Sequence, residues 1–157
     1  MRAAGAEVQV VLAAELPLVV VGGDPDAVAE LAAASGSAER VHAVGSVPDD
    51  QLGRAYLGAH AYVQPSLAEG TGLAVLEALA FGLPVVHTDV PALVEIAADA
   101  AISVPLEGDG LPERLAEAID RVDDPLAERL STAAGDRARH YDWRDSAERV
   151  WQLHADL

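Results

Sequence analysis

Short Val- and Ile-rich runs alternate along this chain with longer segments whose apolar residues recur every three or four positions. The short runs are "LVVVG" (18–22), "VHAVG" (41–45), "AYVQP" (61–65), "PVVHT" (84–88) and "AISVP" (101–105). They are mostly apolar rather than alternating, the pattern of strands covered on both faces. The longer segments carry helix signals. Asp24 is placed to cap a helix with Pro25 at its first position, and Pro48-Asp49-Asp50 opens another. "LAVLEALAFG" ends on Gly82, a C-cap residue, with Pro84 shortly after. "LPERLAEAIDRV" has apolar residues at 111, 115, 118, 119 and 122, which is helical spacing. Strands and helices alternating at this pitch predict an α/β fold, a Rossmann-like parallel sheet with helices on both faces.

The chain reads as a single domain over 1–157. Residues 1–17 read as a leading helix with no strand before it, 18–122 as the α/β core and 123–157 as helices that pack back on the sheet. A chain of 157 residues buries roughly 70% of its unfolded surface.

Charge and composition remove several function classes. Twenty-six acids against ten bases give a net charge of −16. All the bases are arginine, and with no basic patch such a chain repels nucleic acid and anionic lipid. Without cysteine there is no disulfide, thiolate metal site or Cys nucleophile. The apolar runs fall short of the roughly 18 residues of a membrane span. No signal-peptide pattern opens the chain, so the expected location is cytoplasmic, without membrane association.

The chemistry concentrates in "QPSLAEGTGLAVLE" (64–77), where Glu69 and Glu77 bracket a Gly-rich turn. In open α/β sheets ligands sit beyond the carboxyl ends of strands, where loops run into helix N-termini. Gly70 and Gly72 allow close backbone approach, and the helix that follows presents unpaired N–H groups suited to a phosphate. Gly-x-Gly alone is weak evidence and is better read as a plain tight turn that needs glycine for positive φ. Glu77 adds weight, because a carboxylate buried unpaired in so apolar a helix costs several kcal/mol, on the order of 2–7 for a polar group alone. Either it lies on an exposed stripe or it meets specific donors, such as the two hydroxyls of a ribose.

The run "YLGAHAYVQPSLAEGTGLAVLEALAFGLPVV" resembles the signature of the group 1 retaining glycosyltransferases of GT-B fold. "LPLVVVGG", "GLPVVHTDVPALVEIAADAAISVP" and "ARHYDWRDSAERVWQLH" extend the resemblance over nearly the whole chain, as the C-terminal, donor-binding domain. The resemblance implies a nucleotide-diphosphate sugar as donor substrate, no cofactor and no metal. It implies that Glu77 holds the donor ribose and Glu69 contacts the sugar at the reacting centre. It further implies that the backbone of Gly70, Thr71, Gly72, Leu73 and Ala74 holds sugar and diphosphate. Gly22, Gly45 and Val47 match the parts nearest the nucleotide.

One departure matters. The family's domain ordinarily begins with a strand and a loop whose Arg and Lys clamp the diphosphate, and no such segment precedes residue 18. A helix N-terminus favours an anion by about 0.3–2 kcal/mol. Two absent cations close to the phosphates would cost on the order of 1–4 kcal/mol each. The expectation is therefore a donor-binding half, inactive without a separate N-terminal GT-B domain. The alternative is a non-catalytic nucleotide or nucleotide-sugar-binding or interaction module. Elsewhere, the five histidines show no ligand spacing, Asp89 reads as a helix cap, and Trp143 and Trp151, eight apart, read as a packing stripe.

Overall fold

The computed structural model describes residues 17–155. The leading-helix expectation for 1–17 therefore lies, but for Pro17, outside the described residues. Five strands and seven helices follow in the expected order. They are β1 (Leu18–Val21), α1 (Pro25–Ala34), β2 (Val41–Gly45), α2 (Asp49–Gly58), β3 (Tyr62–Gln64), α3 (Leu73–Ala80), β4 (Val85–Thr88), α4 (Pro91–Ala97), β5 (Ala101–Val104), α5 (Leu111–Asp120), α6 (Asp124–Ala138) and α7 (Trp143–Ala155). Local chemistry accounts for the boundaries. The Asp24 carboxylate accepts the Asp26 N–H, and Pro25 takes the position where a missing donor costs nothing. α3 stops because Gly82, at φ +69°, turns the chain left-handed; the Gly82 and Leu83 N–H groups then close onto the Leu79 and Ala78 carbonyls.

All strand pairings within the two sheets are parallel. The strands form two hydrogen-bonded groups, β1–β2 and β3–β4–β5, with β4 in the middle of the second. β4 is buried at every position. Successive strand side chains point to opposite faces, so Val85 joins Tyr56, Leu79 and Leu93 while Val86 joins Leu115 and Ile119. α2, α3 and α4 thus cover one face and α5 the other. Burying Leu79, Leu93 and Leu115 contributes roughly 1.5–3 kcal/mol each.

Two expectations are corrected here. β1 and β2 are mostly apolar, yet among the described residues α1 covers one face only: Val20, Val28 and Ala32 form a small core, while Val19, Val21 and Val44 are exposed. The closing helices also divide. α6 packs back through Leu130 and Ala134, its Ser131 hydroxyl donates to the Gly82 carbonyl, and Arg137 donates from Nε to the Ile96 carbonyl at 2.8 Å. α7 does not pack back. Trp143 and Trp151 are 80% and 77% exposed, so the predicted packing stripe faces outward, because no described element lies against it.

Candidate functional site

The loop between β3 and α3 is held from three sides. At its start, the Tyr62 hydroxyl donates to Gln64 Oε1 and Gln64 Nε2 donates to the Ser66 hydroxyl at 2.6 Å. From the neighbouring strand, Thr88 Oγ1 donates to the Ser66 carbonyl at 2.5 Å. At its end, Gly72 adopts φ +75° as the residue preceding α3 and sits hard against α4. A Cβ there would lie 2.8 Å from Leu93 Cδ2. Gly72 is therefore required by both conformation and packing, which is the tight-turn reading of this glycine. Gly70 differs: nothing lies within 4 Å of the Cβ position, so the space beside it is open.

Glu69 lies half-buried in this loop and turns back on it. Its Oε1 accepts the Gly70 N–H at 2.9 Å and, longer, the Thr71 N–H at 3.5 Å. The backbone donors of the turn thus already face a carboxylate oxygen. Gly70, Thr71 and Leu73 are exposed and Ala74 is half-buried, so this shelf is open to solvent.

Glu77 resolves the choice posed by its sequence. It is on the exposed stripe of α3, one turn beyond the loop, and it meets a donor from inside the protein. The Tyr56 hydroxyl donates to Glu77 Oε2 at 3.2 Å, with the Ala74 carbonyl at 3.5 Å. Tyr56 is 8% exposed. Its ring stacks on Phe81 at 5.2 Å and meets Tyr62 edge-on at 5.8 Å. Burial, and then the Glu77 charge and hydrogen bond, push the phenol up to about 12. From sequence, Tyr56 shares a helix with Arg54 and reads as ordinary surface pairing; the structure buries it instead. The available signal was its place six residues before Tyr62, on the helix entering the Glu-bearing motif.

Gly22 and Gly45 come together at the carboxyl ends of adjacent parallel strands. The Gly22 N–H donates to the Gly45 carbonyl at 2.6 Å, and both glycines are left-handed, at φ +88° and +64°. A Cβ on Gly45 would meet Pro25 Cγ at 2.9 Å, so this turn also presses on the start of α1. Val47 follows, half-buried, in the connection to α2.

Two further residues shape the carboxyl end of β4. His87 is fully buried; its Nδ1 lies 2.7 Å from the Thr88 carbonyl, and its Nε2 has no protein partner. Burial holds the imidazole below its usual range, against the opposing pull of the Thr88 carbonyl and Asp89. Asp89 corrects a sequence reading. α4 starts after Val90 without a side-chain cap, and Asp89 Oδ1 instead accepts the Leu106 N–H at 2.8 Å, fastening the loop after β5. Among the described residues no three His, Asp or Glu side chains are placed to hold a metal. No described helix is long and apolar enough to cross a membrane.

Known proteins resemble this chain in sequence and share its fold. The family model for glycosyl transferases group 1 matches residues 6–137. A D-inositol 3-phosphate glycosyltransferase from Frankia alni is 35% identical over 144 residues, covering 86% of this chain and 35% of that protein. The O-antigen chain mannosyltransferase B of Escherichia coli is 35% identical over 104 residues, covering 65% of this chain and 26% of the relative. The chain therefore spans about a third or less of these relatives. Among solved structures, sucrose-phosphate synthase from Thermosynechococcus elongatus superposes with a TM-score of 0.84 at 29% identity, over 100% of this chain and 43% of that one. The Anabaena protein HepE in complex with UDP-glucose shares the fold, with a TM-score of 0.79 at 20% identity over 100% of this chain and 46% of that one. The fold is the α/β, Rossmann-like arrangement of GT-B glycosyltransferases. The chain belongs to the group 1 glycosyltransferase family.

Proposed function

We propose that the shelf at the β3–α3 loop binds the donor of a glycosyl transfer, a nucleotide-diphosphate sugar. Glu77 accepts from the ribose hydroxyls, the backbone of Gly70, Thr71, Gly72, Leu73 and Ala74 faces the diphosphate and sugar, and Glu69 contacts the sugar at the reacting centre. Gly22, Gly45 and Val47 lie toward the nucleotide. The observation carrying this reading is the arrangement of the two glutamates. Glu77 is exposed with one oxygen held from behind by Tyr56, and Glu69 lies on the N–H groups of the turn that separates them. Hydrogen bonds to a charged acceptor contribute about 1.5–3 kcal/mol each, enough for a carboxylate to select a diol.

Transfer with retention of configuration needs an acceptor aligned opposite the donor, and an open shelf provides one wall of such a cleft. We therefore assign the chain the donor half of the reaction, inactive until an N-terminal GT-B domain closes over it. The strand grouping supports this. In a doubly wound sheet of order 3-2-1-4-5-6 the first strand lies between the second and the fourth. If β1 and β2 count as second and third and β3–β5 as fourth to sixth, the division between the two groups falls at the first strand's place. A strand from a segment or partner outside the described residues fits there and would bring the loop that clamps the diphosphate. The second reading, a nucleotide-binding or interaction module without catalysis, is favoured by the outward-facing α7.

Calorimetric titration with UDP, GDP and ADP and their sugars, with Glu77→Ala in parallel, tests the site. Binding of one nucleotide that the variant loses is expected. A folded chain that binds none, or a Glu77→Ala chain that binds as well as wild type, rules it out.

A further inference from the structure

We propose that Tyr56 is a positioning residue for the site, one that sets the affinity for the ribose diol by fixing the Glu77 carboxylate. The inference rests on the ribose-binding reading of Glu77. Glu77 is exposed, and a glutamate on the surface of a helix ordinarily samples several rotamers. Here one oxygen, Oε2, accepts at 3.2 Å from a hydroxyl carried on a buried ring. The Tyr56 ring is buried, stacked on Phe81 at an interplanar angle of 22° and braced edge-on by Tyr62 at 62°. All three rings belong to the elements that carry the site: Tyr56 to α2, Tyr62 to β3 and Phe81 to the end of α3. The carboxylate is held to the body of the domain through Oε2, and on this exposed residue the other oxygen is the one we assign to the ligand. A side chain fixed in its bound orientation gives up less freedom on binding, so part of the affinity for a diol resides in the phenol behind it. The same hydroxyl lies at the edge of hydrogen-bond range from the Ala74 carbonyl, in the first turn of α3, and so references Glu77 to the backbone beside the glycine turn.

Tyr56→Phe keeps the ring and removes only the hydroxyl. The probes are UDP and its 2′,3′-dideoxy analogue, titrated against the full chain as wild type, Tyr56→Phe, Glu77→Ala and the double variant. Tyr56→Phe is expected to weaken UDP about 2- to 12-fold, the cost of ordering one side chain that is no longer held in place, and to leave the dideoxy analogue unchanged. In the Glu77→Ala background the same substitution is expected to have no effect, because the hydroxyl acts through that carboxylate. A Tyr56→Phe chain that retains the full preference for the diol, while Glu77→Ala loses it, overturns the role of Tyr56 and leaves the ribose reading standing. Equal weakening of both nucleotides by Tyr56→Phe shows a merely structural role and also overturns it. Wild type binding UDP no better than Glu77→Ala overturns the ribose reading and this inference together.

Discussion

The hydroxyl of Thr88, the last residue of β4, donates to the carbonyl of Ser66 in the loop that leaves β3, at 2.5 Å. Thr88 closes β4, and Ser66 lies just beyond the carboxyl end of the adjacent, parallel β3. The most deeply buried strand of the domain therefore grips the loop that carries Glu69. Thr88→Val keeps the branched shape but leaves the Ser66 carbonyl without this donor. A buried acceptor stripped of its partner costs about 1–3 kcal/mol. Chemical denaturation should show that loss, and hydrogen exchange at Gly70 and Thr71 should quicken more than exchange within β4.

The two glycines of the turn should respond oppositely to alanine. At Gly72 the positive φ and the Leu93 contact act together, so Gly72→Ala should destabilise by about 2 kcal/mol or more. At Gly70 the space is open and no positive φ is required, so Gly70→Ala should leave thermal stability within about 0.5 kcal/mol of wild type. Any loss of nucleotide affinity in Gly70→Ala then reports on the ligand's space. Thermal melts paired with UDP titrations separate the two.

His87 should make the domain acid-sensitive near neutrality. Its folded pKa is lowered from 6.5, chiefly by burial, so at acidic pH the unfolded chain binds the proton more readily than the folded one. The stability of the neutral imidazole is thus fully present above 6.5 and is lost as pH falls through 6.5 toward the lower folded value. For a single group this slope cannot exceed about 1.4 kcal/mol per pH unit. Urea midpoints between pH 7.5 and 5 should fall more steeply for wild type than for His87→Val. Parallel slopes would show that the imidazole is not the group responsible.

Glu69 occupies the N–H groups of its own turn, and this predicts a divided effect. Glu69→Ala frees the Gly70 and Thr71 donors and removes a negative charge beside them. Inorganic diphosphate and UDP should bind as well as to wild type or a few-fold more tightly, since one charge near an anion is worth about 1 kcal/mol in water. The advantage of a UDP-sugar over UDP should disappear. Equal weakening for UDP and its sugar would instead place Glu69 against the phosphates.

Order and spacing alone determined the alternation of strands and helices, the core stripe of α5, the cap at Asp24 and the stop at Gly82. All of these depend on contacts a few residues apart, so the chain writes them locally. The Glu69–Glu77 pair was visible for the same reason, as a loop and a helix adjacent in sequence. Only the tertiary structure decided what stands behind Glu77, because Tyr56 reaches it from another helix, 21 residues away. It decided that Asp89 serves Leu106 rather than α4, a contact across 17 residues. It also separated α6, which finds Gly82 and Ile96 to bond, from α7, whose amphipathic stripe finds no described partner and keeps Trp143 and Trp151 in solvent. A hydrophobic period fixes which face of a helix seeks a partner; what fills that face depends on distant parts of the chain, or on another surface.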